Sequence, residues 1–534
     1  MMSAGGFTIH PVASRKRTCI VRLLLGFAAL LALLIVAVVW LSFIRHPLPR
    51  LGSTGTEAAP PAWWENPPSI TDAEASYVQY LSSVTWHLPR ERWMEHWNVG
   101  GQQYGMYSIR YQAAFAGYAF AALGMRIPAC PAITGAGLRC AIDHLLDRRA
   151  WAYVSGYWKD KPWFPDPVTE ENIMYSGHLL QLVVMYEAMT GDDRYRTQGF
   201  DFVWDEKTRI HYTTLTLAEA IVRQMRRNEC GGVACEPGLV FLPCNNHPQL
   251  ALLLLEKLGL GNWSAERRKW ETWALDSYAA PLGQGGIRLA YYLPARAFIP
   301  AGHPGLDGWS LLWYQPWASD AGHPASIWQE TARRVDWSVY ARRADAASPP
   351  PEQESACCRA LALPLPTVAS FLYPAAVACG DAEHAELLRQ WLDRYYAKNF
   401  NGMAFLNCSN EYRIGATANV TIAELLQHGS NLRHLVHRPL PRDYFKGPLI
   451  SELEPADTRV YQAWRRGEDL IVEFDSPGPV RLRLANVAAV QSVSEVVGWQ
   501  FDRRVLSLPG HGRRLVTIKT VSGELSEKSD GISH

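Results

Sequence analysis

The sequence predicts a ring of paired helices, a toroid, set between an amino-terminal membrane-spanning helix and a small antiparallel β-domain. Three observations predict it. Leu23–Ile44 (LLLGFAALLALLIVAVVWLSFI) carries no charge and is long enough, at ~1.5 Å per residue, to cross a ~30 Å hydrocarbon layer. From about 70 to 437 one helical pattern follows another, bounded by Gly, Pro or Asn and joined by long, aromatic-rich loops. From about 438 to 522 the pattern changes to short β-rich runs separated by turn residues.

In chain order, residues 1–22 form a basic segment. Arg15, Lys16, Arg17 and Arg22 precede the apolar run, whereas Arg45 and Arg50 follow it. The positive-inside bias then sets the amino terminus in the cytoplasm and the body in the lumen or outside, in a single-pass membrane protein. The run from 23 to 44 exceeds a signal-peptide core and lacks a small-residue cleavage site. Residues 45–69, with Pro47–Pro68 rich in Pro, Gly, Ser, Thr and Ala, read as a linker. In a eukaryotic lumen, Asn262-Trp263-Ser264, Asn407-Cys408-Ser409 and Asn419-Val420-Thr421 would be open to glycosylation, although chance supplies such triplets at about this number.

Within 70–437 the helical stretches include Tyr111–Leu123, Asn172–Thr190 stopped by Gly191, Pro248–Leu258 stopped by Gly259, Ala382–Tyr396 and Ile422–His437. Long loops such as Trp158–Pro167 and Tyr292–Trp317 suit helix pairs closed into a ring, with the loops gathered at one end over a funnel. Ala344–Glu354, around Pro349-Pro350-Pro351, reads as an exposed insertion. The β-rich runs are Val460–Trp464, Leu470–Phe474, Val480–Leu484, Val493–Val497, Val505–Leu508 and Leu515–Thr520, and 523–534 reads as a disordered tail.

The 534 residues carry a formal charge of +1 and only 19% are charged, which argues against a nucleic-acid partner. Hydrophobic residues make up 48%, and 21 Trp leave material for an aromatic-lined pocket beyond the core. Ten cysteines without CxxC spacing form neither a disulfide scaffold nor a structural zinc site. Cys130, Cys140, Cys379 and Cys408 could pair in an oxidising lumen. With no Walker loop, no GxGxxG after a strand, no HExxH and no GxSxG, no cofactor is expected.

Two segments carry chemistry. In Asp166-Pro167-Val168-Thr169-Glu170-Glu171-Asn172-Ile173-Met174-Tyr175-Ser176-Gly177-His178-Leu179, acidic residues open a helix and His178 follows a glycine that permits close approach. In Gly231–Pro248, Cys235 precedes Cys244, which is expected just ahead of a helix with Pro248 in its first turn and Asn246 or His247 as its cap. The helix dipole there would favour a thiolate. The bland alternatives are a hydrogen-bonded core histidine and two cysteines that are either ordinary buried thiols or a short-loop disulfide.

DPVTEENIMYSGHL, followed by GVACEP and a second Cys nine residues after the first, resembles the linalool dehydratase/isomerase family, whose stretches read DP-x4-ENIMY-x-GHL, then G-x-x-CEP and Cys-Asn at the same separation. Weaker similarity runs through Tyr77–Leu123, including Tyr107-Ser108-Ile109, to about His437. The resemblance implies an (α/α)6 barrel over 70–437. It also implies a lyase/isomerase that removes water from an apolar, terpenoid-like tertiary alcohol, or adds it, without a cofactor. It places His178, Cys235, Cys244 and Tyr107 at functional positions in the barrel mouth, with His178 and the cysteines moving protons on the carbon side and Tyr107 hydrogen-bonding the oxygen. Gln79 stands where the family has an acid, and Gln cannot exchange a proton. Family tyrosines fall near Thr85 or Trp86 and near Trp309. Gln79, Glu236, Trp309 and Trp313 are taken as substrate-binding, with Glu236 a secondary acid.

Two rival readings stay open. A glycoside-processing toroid would stack sugars on Trp151, Trp158, Trp163, Trp309, Trp313 or Trp317, and would need two carboxylates ~5–9.5 Å apart drawn from Asp166, Glu170, Glu171, Glu236 and Asp307. A non-catalytic binding module is favoured by Gln79 and Trp309. The sequence is compatible with an oligomer.

Overall fold

The computed structural model describes residues 12–50, 61–92, 97, 108–341, 363–408, 410–427 and 430–523. About half of these are helical, and a separate antiparallel sheet region follows at the carboxyl end. The longer helices are α1 (Val12–Phe43), α2 (Asp72–Val84), α3 (Ile109–Gly124), α4 (Pro131–Leu146), α5 (Ile173–Thr190), α6 (Thr214–Arg227), α7 (Leu242–Lys257), α8 (Ser264–Ser277), α9 (Pro304–Tyr314), α10 (Gly322–Arg334), α11 (Leu365–Ala378), α12 (Ala382–Tyr395), α13 (Asn410–Gln427) and the short α14 (Leu432–His437).

Sequence chemistry sorts these helices into two kinds. Every residue of α3 is buried, as are nearly all of α5, α7 and α9, their polar side chains included, and these helices present no solvent-facing side. A helix buried on every side is surrounded by protein, and its polar side chains need partners there. By contrast α6, α10 and α12 bury one face and end in arginines that suit the helix dipole. The buried helices are neighbours in sequence order: α3 packs on α5, α5 on α7, α7 on α9, α9 on α11, α11 on α13, and α13 returns to α3. Helices α4, α6, α8, α10 and α12 lie against this succession, and α2 packs on α13 and α3. Helix α2 begins at a capping box of Thr71 and Glu74, and Glu74 also pairs with the buried Arg126 at 3.3 Å.

The sheet region comprises β1 (Leu449–Glu454), β2 (Arg459–Arg466), β3 (Asp469–Ser476), β4 (Val480–Ala485), β5 (Val487–Val493), β6 (Gln500–Asp502), β7 (Val505–Leu508) and β8 (Gly512–Ser522). Two antiparallel sheets form, in orders β1-β4-β7-β6 and β2-β3-β8-β5. They join the helical part through backbone bonds from Ile70 N–H to Tyr461 O (2.8 Å), Ala129 N–H to Ala463 O (3.0 Å) and Ile450 N–H to Ala129 O (2.8 Å).

Several expectations are corrected. No helix among the described residues is long and apolar enough to cross a membrane, so the span expected at Leu23–Ile44 is not found. Those residues lie in or just after α1. Leu24, Phe27, Leu33 and Trp40 are among its exposed apolar side chains. The stretch read as a linker is anchored at both ends. Leu48 N–H bonds Leu275 O at 2.7 Å, and the indole of buried Trp63 bonds Arg438 O at 2.9 Å. Ile422–His437 is two helices, α13 and α14. The strand expected at Val493–Val497 is misplaced: β5 runs Val487–Val493, after which Glu495 turns the chain with φ 59° and Val497 is 93% exposed. Strands β1 and β6 were not anticipated. Asn419 is 1% exposed, which closes that glycosylation triplet. No disulfide joins Cys130, Cys140, Cys379 and Cys408 to one another. The insertion at Ala344–Glu354 and the tail from 524 onward lie outside the described residues.

Candidate active site

The two motifs are joined first through backbone. Ile173 N–H, at the start of α5, donates to Ala234 O at 3.0 Å, and Gly238 N–H donates to Glu171 Oε1 at 3.0 Å. The Trp158 indole N–H takes the other Glu171 oxygen at 2.6 Å. Asn172 caps α5 in the left-handed region, φ 59°, which Asn tolerates better than most residues. Its side chain accepts from the Tyr153 hydroxyl at 2.5 Å and donates to Pro167 O at 2.8 Å. Asp166 accepts from Val168 N–H and from the Tyr212 hydroxyl, both at 2.8 Å. The acidic part of the first motif therefore builds the loop that holds the second motif.

A further clamp brings the cysteines together. Asn245 accepts from Val233 N–H at 2.8 Å and donates back to Val233 O at 2.9 Å, which folds the Cys235 segment onto the first turn of α7, where Cys244 sits. The expected start of this helix is corrected: α7 begins at Leu242 with Pro243 in its first turn, and Pro248 lies inside it. Cys235 and Cys244 are both buried and both free, so no disulfide joins them. Burial pushes the Cys235 thiol well above its usual range, and the hydrogen bond and charge of Cys244 and the charge of Glu236 push it further.

Beside them lies a network on α3, α5, α7 and α9. The Tyr118 hydroxyl is 2.8 Å from His178 Nδ1 and 3.4 Å from His247 Nδ1. His247 Nδ1 is 2.6 Å from Gln181 Oε1, and the Trp309 indole N–H donates to His247 Nε2 at 3.1 Å. The imidazoles of His178 and His247 lie against each other with centroids 3.7 Å apart and their planes tilted by 37°. Helices α5 and α7 approach this closely because position 177 is glycine; a Cβ there would lie 2.9 Å from Pro248 Cδ. Aromatic side chains close the site: Tyr111 meets His178 edge-on at 5.4 Å, Phe115 at 6.1 Å, and Trp309 stacks on Phe371 at 5.5 Å. Trp313 packs against Tyr118 at 4.4 Å and His247 at 5.3 Å.

Tyr111 and Tyr118 link the imidazole side to the thiol side. Burial raises both phenols well above their usual range; Cys244 raises each further, and Glu236 and Cys235 add to the effect on Tyr111. The Arg110 guanidinium lies over Tyr111 at 4.7 Å and Tyr153 at 4.2 Å. Burial raises the Glu236 carboxyl, and Arg110 only partly offsets this. Burial pushes His178 and His247 well below the usual imidazole range, helped by Arg110 and by His178 respectively. Both imidazoles are therefore neutral. Among the described residues, His178 Nε2 and Glu236 Oε2 are buried without a hydrogen-bond partner.

Of the residues expected at the site, His178, Cys235, Cys244, Glu236, Trp309 and Trp313 are gathered here. Gln79 is not: its side chain accepts from Arg459 of β2 at 2.7 Å, between α2 and the sheet region. Tyr107 lies outside the described residues. The carboxylates that a glycosidase would pair with Glu236 are engaged elsewhere. Glu170 bonds Arg227 at 2.6 Å, Asp166 and Glu171 serve loop backbone, and Asp307 accepts from Ile287 N–H at 3.1 Å, from Gly286 N–H, and from the Thr331 hydroxyl at 2.8 Å.

The sequence reading missed Tyr111, Tyr118 and Gln181, and saw His247 only as a cap. A signal was present: Tyr111, Phe115 and Tyr118, His178 and Gln181, Cys244 and His247, and Trp309 and Trp313 all repeat at three- or four-residue spacing, each set on one face of a buried helix. The family model for linalool dehydratase/isomerase matches residues 110–411, which include α3 to α12 and every site residue named above except Tyr107 and Gln79. That match spans more than half of the chain, and the chain belongs to the linalool dehydratase/isomerase family.

Proposed function

We propose that this protein removes water from an apolar, terpenoid-like alcohol, or adds it to the matching alkene, with the Cys235 and Cys244 pair handling protons beside His178. Dehydration needs a group that assists departure of the hydroxyl, a group that takes a proton from the neighbouring carbon, and a cavity from which water is excluded. The observation that carries the reading is the pair of free, buried thiols that raise the neighbouring phenols of Tyr111 and Tyr118, both of which contact His178 inside an aromatic shell. Glu236, whose carboxyl burial raises above its usual range, is the carboxyl available here in place of the acid absent at Gln79. Within the same reading, the closed succession of α3, α5, α7, α9, α11 and α13, with α2, α4, α6, α8, α10 and α12 against it, supports an (α/α)6 barrel.

The full chain is to be assayed against prenyl alcohols and their dehydration products. Turnover that drops at least a hundredfold in folded Cys235→Ala, Cys244→Ala and His178→Ala variants supports the proposal. Undiminished turnover in all three overturns it.

A further inference from the structure

We propose that Trp309, His247 and Tyr118 form a positioning relay that holds the single proton of the His178 imidazole on Nε2, so that this ring meets the substrate oxygen as a hydrogen-bond donor and not as a base. The role toward substrate rests on the dehydratase reading above; the proton position rests on the donors and acceptors alone.

The argument starts from Trp309, whose indole nitrogen can only donate. It points at His247 Nε2 from 3.1 Å, so that nitrogen accepts and carries no hydrogen. A neutral imidazole then has its proton on Nδ1, which lies 2.6 Å from Gln181 Oε1 and donates to it. Turning the Gln181 amide over does not change this, because two accepting nitrogens would make His247 an imidazolate. With His247 Nδ1 already a donor, the Tyr118 hydroxyl has no acceptor there. Its acceptor is His178 Nδ1 at 2.8 Å; the alternative, the His178 carbonyl, is at 3.5 Å, the limit of a hydrogen bond. His178 Nδ1 therefore carries no hydrogen, and neutral His178 bears its proton on Nε2. That atom is buried with no hydrogen-bonding partner among the described residues, which leaves an N–H to be satisfied by a bound oxygen.

The identity of residue 309 is what makes the relay one-directional. A tyrosine there could donate or accept, so it would leave His247 free to switch tautomers and Tyr118 free to turn toward it. Trp309, His247 and Tyr118 need not touch substrate to act; they are positioning residues. The division of labour expected from sequence changes accordingly, with His178 on the oxygen side and the thiols and Glu236 left with the carbon-bound proton.

The test is nitrogen NMR of the full-length protein labelled with 15N-histidine, with the His178 signals assigned by their loss in His178→Gln. The expected spectrum has His178 Nε2 protonated and Nδ1 bare, a mixture of tautomers in Tyr118→Phe, and a similar mixture in Trp309→Tyr. Tyr118→Phe should also lower kcat by about ten- to a hundredfold at little cost in KM, the usual effect of losing an orienting partner. A proton on Nδ1 of native His178, or a Tyr118→Phe spectrum unchanged at His178, overturns the relay. Should Trp309→Tyr fail to fold, Tyr118→Phe alone decides. Native tautomers as expected without turnover of any alcohol support the relay and count against the dehydratase reading; turnover with the opposite tautomer counts against the relay only.

Discussion

Two places among the described residues bring a thiol near an imidazole, and they are built differently. On α4, Cys140 Sγ lies 3.3 Å from His144 Nδ1, and the same nitrogen is 2.6 Å from the carbonyl of Cys140. Trp97 stacks on His144 at 4.7 Å, and the group borders a cleft of about 800 Å3 lined also by Arg90, Arg139 and Asp143. Burial pushes the Cys140 thiol up to about 12 and His144 down to about 4. At the other place, Cys244, His178, Tyr118 and Trp309 converge from four helices, and Cys235 is folded in by the Asn245 clamp. Any cysteine four residues before a histidine on a helix acquires such a neighbour, whatever the pair is for. Convergence from separate elements, with an unpartnered Nε2 and carboxyl oxygen in an aromatic shell, has no such trivial origin.

The largest contrast is in turnover. Cys235→Ala, Cys244→Ala and His178→Ala should each lose at least a hundredfold in kcat, whereas Cys140→Ala should stay within about twofold of the native protein; equal losses at both places would erase the distinction. Glu236→Gln should sit between these, losing about ten- to a hundredfold, because an amide keeps the shape and cannot release a proton. Steady-state kinetics on one active alcohol checks both statements.

Acid should separate the two places on the stability axis. A buried imidazole whose value is lowered binds fewer protons folded than unfolded, so stability rises with pH from about 4 to 6.5 at His144 and is lost as the pH falls through that window. The lowering corresponds to about 3 kcal/mol at most. Urea unfolding of His144→Gln at pH 4.5 and 7.5 should show a smaller difference between the two pH values than the native protein does, with activity at pH 7.5 retained. His178 and His247 act in the same direction, so a residual acid loss remains. The smallest effect belongs to Gln79. Its amide bridges to Arg459, so Gln79→Ala should cost roughly 1 kcal/mol of stability and change turnover by less than about twofold.

What could be read from sequence divides along the same line. The helical body was legible because Gly191 and Gly259 punctuate long apolar runs, and the sheet region because Ser476-Pro477-Gly478 and its like interrupt β-rich ones. The start of α7 was not, because Pro248 looks like a first-turn proline and the true first-turn proline is Pro243. His178, Cys235 and Cys244 could be found from motif chemistry. Tyr118 and Gln181 could not be found that way, because their role depends on how α3, α5 and α7 pack. Asp166 and Glu171 looked like acids for catalysis, and the structure spends both on loop backbone. Gln79 was drawn into the site by the resemblance, but it faces the sheet region, which no local pattern reports.

The central claim is that the paired thiols move protons on and off carbon. Its most direct measurement is mass spectrometry of products and recovered substrate after the full chain turns over a prenyl alcohol in deuterated water. The account predicts deuterium on the carbon beside the reacting centre with the native protein and with Cys140→Ala, and its disappearance with Cys235→Ala or Cys244→Ala. Deuterium entering at the native rate in both of those variants, or never entering with the native protein while alcohol is consumed, would contradict it.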